Sequence, residues 1–150
     1  MLIATYISTY FTWDEVCHSE WAARNSVDNV PPAAIAMNLQ YTAIQMDKVR
    51  KLLNRPVIVS SWYRSAEVNA GVGSKSKRSQ HTKGEAVDFI CPGYGSPKEV
   101  ATLLAKNIDT LRFDQLIYEY SWVHISFSPV PRGQIFTLDS KTGQSIPGIA

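Results

Sequence analysis

The sequence predicts an α+β fold in which helices pack on one face of a small antiparallel sheet. Three observations support this prediction. One long segment carries apolar residues at helical spacing, several short segments have strand character, and most of the helices precede the strands. The 150 residues suit a single domain spanning residues 1–150, which we expect to have a core at about 9–128 and a C-terminal extension at 129–150.

Two helices are predicted in the first third of the chain. Thr12 and Glu15 fit a capping box, from which a helix should run to about Arg24. The second helix carries one apolar stripe, and Asn54 and Pro56 end it. The stripe consists of Ile35, Leu39, Ala43, Met46, Val49 and Leu53.

The middle of the chain reads as strand, loop and strand. Residues 57–61 are predicted to form a short, largely buried strand. Residues 64–84 are polar and aperiodic, so they should form a long loop with one helical turn after Ser65. Long loops in compact domains are commonly functional. Strand character returns at 86–91.

The last third predicts one more helix and three strands. Ser96 as a cap, Pro97 at the first position and Glu99 at the third mark the start of the helix. The strands are expected at 115–119, 122–127 and 134–138, with a tight turn between the first two.

Composition excludes some classes of function. The 15 basic and 13 acidic residues give a net charge of +2, which is too small to indicate nucleic acid as a partner. No apolar run approaches the roughly 20 residues of a membrane helix, so membrane insertion is not expected. The basic run at 75–78 is interpreted as a solvated loop. Cys17 and Cys91 form no metal motif by spacing, which leaves two buried thiols or a disulfide.

Asp88 is placed where a carboxylate needs a partner. It lies inside the apolar run 86–91, and a carboxylate there is costly unless it is paired or bound to a metal. Gly84 allows the chain to turn between His81 and Asp88, so these side chains, seven residues apart, can reach one point.

His124 can supply a third ligand from a neighbouring strand. Alternation along 122–127 puts the odd-numbered residues on the core face and the even-numbered ones on the opposite face. Two histidines and one carboxylate are a common catalytic zinc set. This set leaves a fourth position for water, whose pKa zinc lowers to about 7.

Such chemistry also needs a general base and a cation. Glu119, five residues before His124, ends a strand and is the candidate base. Arg64 follows the strand at 57–61 and is the candidate cation, which would anchor a substrate carboxylate or the developing oxyanion. Taken singly, each of these residues also fits an ordinary structural or solvated role, and spacing alone leaves both interpretations open.

Two motifs carry a resemblance to a known family. They are Ser79-x-His81-x-x-Gly84-x-Ala86-x-Asp88 and the strand segment Trp122-Val123-His124. Together they resemble the zinc D-alanyl-D-alanine carboxypeptidase family, which includes D-Ala-D-Ala dipeptidases and the L-alanyl-D-glutamate endopeptidases of phage lysis. The N-terminal part, with its long second helix, is similar to the subgroup common in phage genomes.

The resemblance implies the roles of particular residues. Zinc would be held by His81, Asp88 and His124 at the sheet. Arg64 is similar to the family's substrate-binding arginine. The other implied substrate-binding residues are Ser79, Gln80 and Asn69. Many members place the catalytic acid three residues before the last histidine, where this chain has Ser121, so Glu119 is the nearest substitute.

The implied function is zinc-dependent hydrolysis of a peptide bond in bacterial peptidoglycan by a phage-derived endolysin or virion-associated wall hydrolase. Ser121 motivates one alternative, a non-catalytic zinc-containing wall-binding or structural virion module. A D-Ala-D-Ala carboxypeptidase is the other. The expected partners are peptidoglycan and, within a particle, other virion proteins. The N-terminus lacks the features of a signal peptide, so we expect synthesis in the host cytoplasm and delivery to the wall by another factor or a virion.

Overall fold

The computed structural model describes residues 5–74 and 79–150. Over these residues the chain forms six helices and one six-stranded sheet. The helices are α1 (Trp13–Cys17), α2 (Glu20–Arg24), α3 (Ala33–Leu53), α4 (Ala66–Gly71), α5 (Pro97–Lys106) and α6 (Ile108–Leu111). The strands are β1 (Ile58–Ser61), β2 (Ala86–Ile90), β3 (Gln115–Tyr118), β4 (Val123–Ser126), β5 (Gln134–Leu138) and β6 (Ser145–Pro147). The predictions for the basic run and for the first four residues lie outside the described residues.

The α+β prediction is confirmed. The strand order is β1-β2-β4-β3-β5-β6, and every neighbouring pair is antiparallel except β3 with β5, which is parallel. Apolar side chains of α3 and α5 pack with those of β2, β3 and β4 in one core cluster. The opposite face of the central strands is therefore left for polar side chains.

The N-terminal helix departs from its prediction. The capping box is present, with Glu15 N donating to Thr12 Oγ1 at 3.2 Å and Thr12 N donating to Glu15 Oε1 at 3.0 Å. However, His18 adopts an extended conformation and ends α1. Ser19 then caps α2 by accepting from Ala22 N at 3.2 Å. The prediction of one helix was wrong because Ser19 offers the chain a second helix start.

The other predicted helices are present. In α3 the stripe residues from Leu39 to Leu53 are buried, and Asn54 ends the helix in the left-handed conformation with φ 53°. Ser65 caps α4, which is the expected helical turn in the long loop. Ser96 and Glu99 form a second capping box at α5.

The burial of β1 was predicted wrongly. This strand pairs with β2 alone among the described residues and forms one edge of the sheet, with Ile58 exposed to 51%. Its apolar composition indicated a strand but not its place in the strand order. Cys17 and Cys91 are both free thiols. None of the described helices combines the length and apolar character needed to cross a membrane.

Candidate active site

His81, Asp88 and His124 meet on the face of the sheet opposite the core. In the β2–β4 pairing, Asp88 lies directly across from His124. Asp88 Oδ1 is 2.8 Å from His124 Nδ1, and Asp88 Oδ2 is 3.2 Å from His81 Nε2. One ligand atom from each residue lies within 4.8 Å of the other two. We call these three residues the ligand triad; together they could hold one metal ion.

The orientation of His81 is fixed by a backbone carbonyl. His81 Nδ1 lies 2.7 Å from the carbonyl oxygen of Trp62, and this contact requires the proton to be on Nδ1. The lone pair of Nε2 then points towards Asp88. Metal-binding histidines are commonly oriented by such a second hydrogen bond. Trp62 is itself fully buried and packs edge-on against Phe11, with ring centroids 5.4 Å apart.

The turn between His81 and Asp88 is held against α3. Gly84 has φ +74°, and a Cβ atom there would lie 2.9 Å from Leu39 Cδ2, so both the conformation and the space require glycine. Thr42 Oγ1 donates to the Gly84 carbonyl at 2.8 Å, and Asn38 Nδ2 donates to the neighbouring Lys83 carbonyl at 3.0 Å. The longest helix thus positions the loop that carries His81.

Burial and charge act in opposite directions on the pKa values of the ligand triad. Burial alone would raise the pKa of Asp88, but the two neighbouring histidines hold it well below its usual range. Burial lowers the pKa of His81, which favours the neutral imidazole that a metal needs. Burial would also lower the pKa of His124, but the hydrogen bond to Asp88 raises it.

Glu119 reaches the same cleft from the turn between β3 and β4. Tyr120 takes the left-handed conformation with φ 61°, and Ser121 N donates to the Glu119 carbonyl at 2.7 Å. Trp122 Nε1 donates to Glu119 Oε2 at 3.1 Å. Burial, with the charge of Asp88, raises the pKa of Glu119. Ser121, which stands at the acid position implied by the sequence resemblance, is exposed.

Arg64 lies beside the ligand triad and is tied to three side chains. Its Nε donates to Ser61 Oγ at 3.1 Å, and its Nη2 lies 3.5 Å from Asp88 Oδ2. Its Nη1 lies 3.5 Å from Asn69 Oδ1. Asn69 is buried and is not among the described residues that line the cleft, so it supports Arg64 from behind.

The site residues share one cleft of about 500 Å³. Its described lining residues are Arg64, Ser74, Ser79, Gln80, His81, Asp88, Gln115, Ile117, Glu119, Trp122, His124, Arg132 and Leu138. Ser79 Oγ accepts from His81 N at 3.3 Å. Gln80 Nε2 donates to Asp114 Oδ2 at 2.9 Å and to Glu85 Oε1 at 3.3 Å, so it also braces the loop.

Two of the lining residues that the sequence did not indicate as site residues make polar contacts that matter to the site. Strand alternation placed Trp122 on the correct face, but nothing in the pattern indicated that its indole would hold Glu119. Arg132 was also missed, because it follows the last strand of the motif and has no spacing relation to the ligands. Pro131 and Gly133, which flank Arg132, indicate a turn there but not its place in the cleft.

Comparison with known proteins agrees with the geometry. The sequence model of the family described as Peptidase M15 matches residues 9–126. The chain belongs to the Peptidase M15 family. No curated protein matches the sequence. The family consists of zinc D-alanyl-D-alanine carboxypeptidase-like enzymes, and membership indicates a metallopeptidase that acts on peptidoglycan.

The ligand triad fits the zinc ion of this family. Two imidazole nitrogens and one carboxylate form a donor set typical of catalytic zinc, and three protein ligands leave a position open. The carbonyl of Trp62 fixes the tautomer of His81 that a metal requires. Two of the ligands lie on paired strands, which limits their movement relative to each other.

Proposed function

We propose that the protein is a zinc-dependent endopeptidase that hydrolyses a peptide bond in bacterial peptidoglycan, and that it is a phage-derived endolysin or virion-associated wall hydrolase. The observation that carries the catalytic part is the presence of Glu119 and Arg64 in the cleft of the ligand triad. The similarity of the N-terminal segments to phage members of the family supports the proposed origin.

His81, Asp88 and His124 would hold the zinc ion. When bound, zinc supplies a Lewis acid that polarises the scissile carbonyl and lowers the pKa of a water molecule to about 7. The remaining chemistry is assigned to residues of this chain.

Glu119 is proposed as the general base. Its carboxylate would accept a proton from the attacking water and then pass it to the leaving amine. The raised pKa suits this role, because a base with a pKa nearer the working pH both accepts and returns the proton readily. The hydrogen bond from Trp122 Nε1 occupies Oε2 and leaves Oε1 for the water.

Arg64 is proposed to anchor the substrate. Its guanidinium is mostly buried, with 18% of the side chain exposed, and it is the cation nearest to Asp88 among the described residues. A buried guanidinium beside the scissile bond would bind a carboxylate of the substrate or stabilise the developing oxyanion.

The width of the cleft favours an endopeptidase over a carboxypeptidase. Its lining runs from Arg64, after the edge strand β1, to Leu138 in β5, which is four strand positions away. At about 4.8 Å per strand this is roughly 19 Å, the length of about six extended residues. Such a cleft accommodates a peptide on both sides of the bond that is cut. A carboxypeptidase remains the second candidate because Arg64 could also bind a terminal carboxylate.

Mass spectrometry of purified peptidoglycan after digestion tests the proposal. New termini inside the stem peptide or cross-link, lost on chelation and restored by zinc, are expected. Release of single D-Ala residues would instead establish the carboxypeptidase. Intact muropeptides after digestion with zinc-loaded protein would contradict both, and would leave the wall-binding or structural module.

A further inference from the structure

We propose that Arg132 is a specificity-determining residue that binds a free carboxylate of the peptide substrate at a cationic position of the cleft separate from Arg64. The inference rests on the proposed function, since it concerns the substrate of the same site. Arg132 lies between β4 and β5, beyond the residues that match the family. It lines the cleft together with the ligand triad.

Asp114 holds Arg132 in one orientation. Arg132 N and Nε each donate to Asp114 Oδ1 at 2.9 Å, and Nη2 donates to Oδ2 at 2.6 Å. The Asp114 side chain is 3% exposed, whereas that of Arg132 is 52% exposed. One edge of the guanidinium is therefore bound to a buried carboxylate, and the rest of it faces solvent.

The free edge of Arg132 has the geometry of a carboxylate receptor. An arginine side chain has five N–H groups, and Asp114 takes the one on Nε and one on Nη2. Within 5–74 and 79–150, no residue accepts a hydrogen bond from Nη1 of Arg132. The two N–H groups of Nη1 and the remaining N–H group of Nη2 therefore form a free edge. This edge suits bidentate binding of a carboxylate.

Asp114 also connects Arg132 to the loop that carries His81. Gln80, next to the zinc ligand His81, donates to Asp114 Oδ2 at 2.9 Å. Arg132 thus has a fixed position relative to the ligand triad, and it lies towards β5 whereas Arg64 lies towards β1. A substrate bound across the cleft would meet a cation on each side of the scissile bond. This arrangement selects a peptide that carries an acidic group away from the bond that is cut.

Two nearby carboxylates offset the positive charge of Arg132, so its binding of a substrate carboxylate should depend on hydrogen-bond geometry. Asp114 balances the charge of Arg132, and Glu85 lies close enough to interact with it. A bound carboxylate would therefore depend on the free edge of N–H groups more than on net charge. Lysine, which lacks such an edge, should not replace arginine here.

The test compares a cell-wall peptide carrying a free side-chain carboxylate with its carboxamide counterpart. Wild-type protein should hydrolyse the carboxylate peptide with a kcat/KM roughly tenfold to hundredfold higher, the range that charge-assisted hydrogen bonds provide. Arg132→Gln and Arg132→Lys should both bring the ratio close to one. Lys98→Gln removes one charge from an exposed side chain of α5, on the core side of the sheet, and should keep the wild-type ratio.

Two further measurements keep the test decisive. Arg132→Gln leaves the buried Asp114 without its charged partner, so the double variant Arg132→Gln/Asp114→Asn provides a form without that unbalanced charge. Persistence of the preference in this folded double variant, or its absence in wild-type protein, would overturn the inference. If zinc-loaded wild-type protein cleaves neither peptide, the proposed function fails, and calorimetric binding of the two peptides still decides whether Arg132 distinguishes them.

Discussion

The ligand triad and the Glu119 turn lie in one cleft but are fixed by different means. Asp88 and His124 are set by the pairing of β2 with β4, and His81 by the Trp62 carbonyl and a loop packed on α3. Glu119 is held by a short turn and by one hydrogen bond from Trp122. We infer that sheet register determines the geometry of the candidate metal centre, whereas local turn geometry determines the position of the proposed base. Such a turn can present the carboxylate of Glu119 to the cleft, although the position at which the resemblance implies an acid holds Ser121.

Removal of a triad ligand should have the largest effect. His81→Ala removes one of the three proposed zinc ligands. Loss of a residue that only hydrogen-bonds to a ligand lowers metal affinity roughly 10–100-fold, so this variant should lose more zinc affinity than that, and wall hydrolysis should disappear. Zinc content by mass spectrometry and turnover on peptidoglycan measure both. His18→Ala, at an exposed histidine outside the cleft, is the control and should behave as wild type. Full hydrolysis by metal-free His81→Ala would refute the role of the triad.

Glu119→Gln should separate the two regions. The amide keeps the size of the side chain but cannot accept the proton, so kcat should fall by about 10²–10⁴ while zinc content stays at the wild-type level. Glu67→Gln, at an exposed residue of α4, serves as the matched control. Wild-type activity of Glu119→Gln at saturating zinc would show that another group is the base.

Gly84→Ala should destabilise the protein at the turn that positions His81 of the ligand triad. The left-handed conformation costs an alanine about 1–2 kcal/mol, and the contact with Leu39 should add about 1–3 kcal/mol of overpacking. Gly143→Ala is the matched control, because Gly143 has the same φ of +74° and a Cβ added there would meet no atom within 4 Å. Urea denaturation should show a larger loss of unfolding free energy for Gly84→Ala. Equal losses would mean that the packing on α3 contributes nothing.

Trp122→Phe should weaken the Glu119 turn without affecting the metal. Loss of the indole N–H frees the carboxylate, and the resulting misplacement should lower kcat by about tenfold, with zinc content unchanged. A double-mutant cycle with Glu119→Gln provides the check. If Trp122 acts through Glu119, its replacement should have little further effect in the Glu119→Gln background. Additive losses would instead indicate an independent role in substrate binding.

Local signals in the sequence predicted much of the fold. The stripe on α3, the capping boxes at Thr12 and Ser96 and the alternation around His124 all correspond to observed elements. The two wrong predictions concern features that depend on competing local signals or on the place of a strand in the sheet. Ser19 started a second helix where one had been predicted, and β1 proved to be an edge strand.

The chemical identity of the candidate metal centre could be read from the order of residues in the chain. A carboxylate in an apolar run, a glycine turn and an outward-facing histidine are local features, because periodicity and backbone preference depend on near neighbours in the chain. The surroundings of these residues required the folded protein. The contacts of Trp62 with His81, of Trp122 with Glu119 and of Asp114 with Arg132 depend on strand order and turn geometry. No sequence period encodes these contacts. The packing of distant segments brings Trp62 to His81 and Asp114 to Arg132, and the turn after β3 brings Trp122 to Glu119.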